Sequence, residues 1–200
     1  NNCVNFMISI VILILGSYLL GSVNSSLIVC PLMNLPDPRT HGSNNPGATN
    51  VLRTGDRVAA LLTVAGDFLK GLIPMLVAFQ LTNSQFIIIA AGFASVIGHI
   101  FPIYYKFKGG KGVATSLGIV FGVNWFIGAM VLVTWCITAF LFRFSALAAL
   151  VSFTCLPIYI YAVTRSPDLT IGFILVSLLI FWTHRSNIKN LRERSEEKIK

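Results

Sequence analysis

The sequence predicts an all-α polytopic membrane protein with seven transmembrane helices, and three observations carry that expectation. Hydrophobic residues make up 55% of the 200 residues and charged residues only 11%, well outside soluble globular usage. Apolar runs close to the ~20 residues that cross hydrocarbon recur along the whole chain. The basic residues gather at the ends of those runs, where the sign of a loop sets orientation. No linker, repeat or low-complexity segment intervenes, so residues 1–200 are expected to form a single integral membrane domain.

Phe6 to Ile28 is expected as a retained first span, because no Lys/Arg-rich leader or small-residue cleavage site marks a signal peptide. Val58 to Gln80, Gln85 to Tyr105, Ser145 to Val163 and Leu169 to Thr183 follow as clear spans. Val113 to Phe142 is too long for one ordinary span and short for two, and charge decides its reading. If it breaks near Gly122 to Trp125, then Arg39, Arg53, Arg57, Lys106, Lys108, Lys111, Arg143 and the tail Arg185, Lys189, Arg192, Arg194, Lys198 and Lys200 all face the cytosol. Only Arg165 faces out, and Lys70 lies within a span. The expectation is therefore an N-terminus outside, a cytosolic C-terminus, and a first half of Val113 to Phe142 too short to cross comfortably. A formal charge of +8 gathered on one face suits anionic lipid or an anionic substrate, with no nucleic acid in view.

Three polar motifs fall on that face. In "LPDPRTHGSNNPGATNVLRTGDR", Asn45 followed by Pro46 has the pattern of an N-cap and first helical residue, so a helix is expected from Pro46. The N–H groups of Gly47, Ala48 and Thr49 would then point towards Ser43 and Asn44, a donor cluster of phosphate size. Thr49 and Arg53, four apart, add a hydroxyl and a planar cation. An ordinary capped helix behind a turn-rich loop is the plainer alternative.

The second motif is "FKGGKGVATS". Gly109 and Gly110 free the backbone, Lys111 supplies charge, and Gly112 opens a short apolar helix from Val113. It is not a Walker loop, which needs GxxxxGK[ST]. A merely basic loop would account for Lys106 and Lys108 and give no reason for the glycines around Lys111. The third motif, "HRSNI", places His184 and Asn187 on one helical face where the last span leaves the membrane, though an interfacial His is usually an anchor. His99 in "GHIFP" has the same ambiguity. Asp67 and Lys70 are three apart in the second span and more readily neutralise one another than touch a ligand. Cys3, Cys30, Cys136 and Cys155 lie in or beside apolar runs and read as packing residues.

With these motifs in place, the chain resembles the bacterial acyl-phosphate:glycerol-3-phosphate acyltransferase family, PlsY. The matching stretches are "LPDPRTHGSNNPGATNVLR", "DFLKG", "GHIFPIYYKFKGGKGVATS" and "HRSNI", in family order and covering essentially the whole chain. The resemblance implies seven transmembrane helices in the bacterial inner membrane with a cytosol-facing site. It implies transfer of a fatty acyl group from acyl phosphate to the sn-1 hydroxyl of glycerol 3-phosphate, giving lysophosphatidic acid and phosphate. By position it implies that Ser43, Asn45, Gly47 and Thr49 hold the acyl-phosphate phosphate, and that Arg53, Lys111, His184 and Asn187 bind substrate or act in catalysis. His184, Lys111 and Asn187 form the candidate catalytic set; Ser43, Asn45, Gly47, Thr49, Arg53, Gly109, Gly110 and Lys111 form the candidate binding set. Two departures stand out. Asn44 occupies a position where the family usually has Gly, and in "RFSALAAL" Ala146 and Ala149 stand where hydroxyls are usual, leaving Ser145 as the substitute.

An acyl phosphate is already activated, so donors and cations need only hold two phosphates and stabilise the developing oxyanion. His184 and the substrate's own phosphate are both candidate acceptors for the hydroxyl proton. The HxxxxD signature of other glycerolipid acyltransferases fails at His41, His99 and His184. The scattered acidic residues before the tail make no carboxylate cluster, so neither metal nor cofactor is expected, and no obligate protein partner. Two rival classes remain: a transporter of a phosphorylated solute, which should carry midplane polar residues beyond Asp67 and Lys70, and a lipid-binding assembly protein, which leaves the glycine loops without a task.

Overall fold

The computed structural model describes residues 2–54 and 56–199. Among the described residues the regular structure is helical: α1 (Asn2–Gly21), α2 (Ser25–Leu32), α3 (Ala48–Leu52), α4 (Arg57–Leu81), α5 (Gln85–Ile100), a 3-10 turn (Ile103–Tyr105), α6 (Val113–Val123), α7 (Trp125–Phe142), α8 (Ser145–Thr164), α9 (Pro167–Thr183) and α10 (Arg185–Arg192). Five of these stretches are long and apolar enough to cross a membrane, Cys3–Gly21, Arg57–Leu81, Gln85–Tyr105, Trp125–Phe142 and Ser145–Thr164, with a sixth if α9 is counted together with α10, to which it is bent by 58°. Large apolar side chains such as Ile12, Leu61, Phe86 and Phe140 stand exposed on these helices, as lipid-facing residues do.

The chain clusters into two compact units, Asn1–Val123 and Asn124–Lys200, a division that no linker marks in the sequence. In the first, α4 packs on α6 and α1 on α5, with α2 and α3 against α4. These pairs approach to backbone contact through glycine. A Cβ on Gly71 would fall 2.0 Å from the Thr115 carbonyl oxygen, and one on Gly118 would fall 2.1 Å from that of Phe68. Gly21 against Ser95 and Gly98 against Tyr18 do the same for α1 and α5. The second unit stacks α7 on α8 and α8 on α9 around Phe153, Leu156, Ile160 and Ile180.

The break expected near Gly122 to Trp125 is present. Asn124 ends one helix and caps the next, its side-chain oxygen accepting from Phe126 N–H at 2.9 Å and Ile127 N–H at 3.1 Å. At 11 residues α6 rises about 16 Å, short of a hydrocarbon core about 30 Å thick. The first expected span differs. Phe6 to Ile28 is not continuous: α1 stops at Gly21, and α2 restarts at Ser25 under an Asn24 cap that accepts from Leu27 N–H. Two of the polar residues of "GSVNSS" meet partners elsewhere in the unit: Ser22 accepts from Ile103 N–H and Ser25 donates to Asp67.

Candidate active site

The first motif is held from below by an apolar anchor. Val51 of α3 is fully buried in a cluster with Cys30, Ala59 and Ala60, which fixes the short helix against α2 and α4. The loop above it is organised by Asn50, a residue the sequence reading did not single out. Its buried amide accepts from Ser43 N–H at 3.0 Å and donates to the carbonyls of Pro38 at 2.7 Å and His41 at 2.9 Å. One side chain thereby closes residues 38–50 into a ring. Gly42, at φ +57°, sits so close that a Cβ would meet Asn50 Oδ1. Buried amide side chains facing loop carbonyls are the available sequence signal, and within "NNPGATN" nothing separates Asn50 from its two neighbours.

The helix start expected at Pro46 is corrected. Gly47, in extended conformation and without a side-chain cap, is the N-cap, and α3 begins at Ala48. Gly47 N–H turns back to the Asn45 carbonyl at 2.9 Å, so the Asn45–Pro46–Gly47 turn delays the helix by two residues and commits one of the three expected donors. Asn45 is therefore no cap. Asn44 adopts φ +55°, the left-handed conformation that a glycine takes without strain and that Asn accepts better than most residues. Ser43 is exposed, and Asn45, Thr49 and Arg53 are half-buried along the same segment. Arg39 braces the loop entrance through a fork on Asp37, with Nη2 2.6 Å from Oδ2, and its guanidinium holds the Asp37 carboxyl below the usual carboxylate range.

The second motif folds back onto the end of α5. Gly109 N–H donates to the Ile100 carbonyl at 3.2 Å and Gly110 N–H to that of His99 at 3.1 Å. Those two amides are engaged within the chain, so Gly109 and Gly110 contribute shape rather than donors. A Cβ on Gly109 would lie 2.0 Å from the His99 carbonyl oxygen, one on Gly110 would lie 2.2 Å from His99 Nε2, and Gly112 has φ +87°. Each glycine thus has its own steric cause. Between them Lys111 is left half-buried just ahead of α6, whose first main-chain bond runs from Ser116 N–H to Gly112 at 2.8 Å.

The second unit carries the third motif. His184 ends α9 and begins the turn into α10, and both it and Asn187 are buried, 3% and 7% exposed. His184 Nδ1 lies 2.8 Å from the Ile180 carbonyl oxygen. A carbonyl can only accept, so Nδ1 carries the proton there and the neutral ring keeps its lone pair on Nε2, as a base requires. Asn187 Nδ2 donates to Glu196 Oε1 at 2.7 Å, a tail partner the sequence reading missed. Ser145 opens α8, while Ala146 and Ala149 are buried methyls of the core.

Residues 11–194 match the family described as glycerol-3-phosphate acyltransferase. A glycerol-3-phosphate acyltransferase of Thioalkalivibrio sulfidiphilus is 49% identical over 187 residues, covering 94% of this chain and 92% of its own. One of Methylococcus capsulatus is 46% identical over 188 residues, 94% of this chain and 95% of its own. The crystal structure of PlsY (YgiH), an integral membrane glycerol 3-phosphate acyltransferase, in its glycerol 3-phosphate form superposes with a TM-score of 0.92 at 33% identity, covering 96% of both chains. Its lysophosphatidic acid form gives 0.89 at 32% identity over 95% of both. With the glycine-shaped loops, the apolar helices and these likenesses in agreement, the chain belongs to the glycerol-3-phosphate acyltransferase family of integral membrane enzymes.

Proposed function

We propose that this enzyme takes its acyl group from an acyl phosphate and delivers it to the sn-1 hydroxyl of glycerol 3-phosphate, releasing lysophosphatidic acid and inorganic phosphate. The observation that carries the reading is the pairing, within one unit, of two glycine-shaped loops that leave Ser43, Asn45, Thr49, Arg53 and Lys111 at or near the surface of an otherwise apolar chain. Both substrates carry a phosphate, and hydroxyl, amide, guanidinium and ammonium groups are what phosphate takes. The solved relatives' glycerol 3-phosphate and lysophosphatidic acid forms support the acceptor and the product.

In the transfer, the hydroxyl oxygen attacks the acyl carbonyl carbon, the bond from that carbon to the phosphate oxygen breaks, and the electron pair leaves with phosphate. Lys111 and Arg53 stabilise the charge that develops on the carbonyl oxygen and the departing phosphate. The hydroxyl proton passes to His184 Nε2 or to a substrate phosphate. His184 and Asn187 take their part in this reaction from the sequence resemblance. Seven spans, an external N-terminus and a cytosolic site in the bacterial inner membrane belong to the same proposal, supported by the one-sided distribution of Lys and Arg. Residues 1–200 then serve as one enzyme domain.

Phosphate release from palmitoyl phosphate by the purified protein tests the reading. Release is expected to require glycerol 3-phosphate, to proceed in EDTA, and to fall by about 100-fold or more in Lys111→Ala and Thr49→Ala. Glycerol 3-phosphate binding without any release would overturn the acyl-phosphate donor.

A further inference from the structure

The first unit buries a second polar cluster behind the glycine-rich loop. Asp67 Oδ1 accepts from Ser25 Oγ at 2.8 Å and pairs with Lys70 Nζ at 2.9 Å, and Lys70 also donates to the Val23 carbonyl at 2.6 Å. Ser95 donates to the Lys70 carbonyl at 2.7 Å. One turn on from Ser95, His99 places Nδ1 3.1 Å from Thr115 Oγ1 and 3.9 Å from Asp67 Oδ1. Each of these side chains is under a tenth exposed. Mutual neutralisation explains why Asp67 and Lys70 occur together in a span. It does not explain why four further polar residues from α2, α5 and α6 converge on them.

The convergence ends at the loop. His99 meets it in three ways: its carbonyl takes Gly110 N–H, its ring stands where any side chain at Gly110 would be, and its Nδ1 meets the hydroxyl of Thr115 in the first turn of α6. Lys111 lies between those attachment points.

We propose that His99, beside the Asp67–Lys70 pair, is a positioning residue: its ring and its bond to Thr115 set the path of Gly109 to Gly112 and so fix where the Lys111 ammonium stands. His99 does not touch substrate. The inference rests on the phosphate-binding role given above to the Lys111 loop. Displacing that ammonium by about 1 Å is enough to lower turnover by up to about 100-fold.

The test is a double-mutant cycle on the full chain in lipid nanodiscs, reading kcat and KM for both substrates. His99→Leu is expected to lower kcat/KM about 30-fold, and His99→Asn, whose amide reaches Thr115 from the place of Nδ1, to recover much of it. Thr115→Val, which keeps the histidine and the β-branched shape while removing the hydroxyl, is expected to lose about tenfold and covers the case in which His99→Leu fails to fold. Either change combined with Lys111→Ala should be no worse than Lys111→Ala alone, to within about twofold. Losses that multiply, with no recovery in His99→Asn, would overturn the positioning role while leaving the loop's own role intact. Full activity in Lys111→Ala would overturn both.

Discussion

At the scale of single residues, two side chains do what their neighbours cannot replace. His184 is locked by Ile180 into the tautomer that offers Nε2. His184→Asn retains a donor for the Ile180 carbonyl but has no basic nitrogen, so it is expected to fold normally and lose between about 100-fold and 10,000-fold in kcat. Activity within about tenfold of the parent would pass the proton to the substrate phosphate instead. Asn50 is the other: Asn50→Ala removes three bonds that close the first loop, and is expected to cost about 2–3 kcal/mol of stability and to raise KM. Thermal unfolding in lipid together with steady-state kinetics checks both effects. Candidate residues could be named where chemistry shows in residue type, as with Lys111, Arg53 and His184, whose roles are part of the proposed function. Contacts that depend on position alone were not legible, as with Asn50 and Glu196, whose partners are seven or more residues away in sequence.

At the scale of elements, hydrophobic length located most of the spans, and the awkward length of Val113 to Phe142 together with the basic residues on either side of it located its break, which Asn124 caps in the fold. The break at Ser22 to Asn24 was hidden for the opposite reason. Ser22 accepts from Ile103 N–H, the Val23 carbonyl takes Lys70 Nζ, and Ser25 at the start of α2 donates to Asp67; these partners lie far along the chain, and composition cannot announce them. The same long-range satisfaction governs α4. Asp67→Asn leaves the Lys70 ammonium buried without its counter-charge and is expected to destabilise the protein by about 3–5 kcal/mol. The pair Asp67→Asn with Lys70→Met removes both charges and is expected to recover part of that loss, read as the midpoint of thermal unfolding in detergent.

At the scale of the whole molecule, the proposed orientation rests on charge. With the native cysteines replaced, Lys106→Cys is expected to react with a membrane-impermeant maleimide only in inside-out vesicles and Arg165→Cys only in right-side-out ones. Labelling of both from the same side would remove the seven-span count. The division into two compact units was not legible, since Asn124 joins them in a single step and the apolar composition runs through it unchanged.

The brevity of α6 has a consequence for how the two substrates meet. Its 11 residues leave roughly half of the hydrocarbon depth uncovered, and the polar main chain beyond the helix tolerates only protein or water as neighbours. In the proposed orientation, the glycine-rich loop that precedes it would stand at a local dip in the oil–water boundary. The proposed acyl-phosphate donor would bring its phosphate to that dip while its tail stays dissolved in lipid, and glycerol 3-phosphate would reach the same point from the aqueous side. Neither molecule would have to change phase for the proposed reaction to occur.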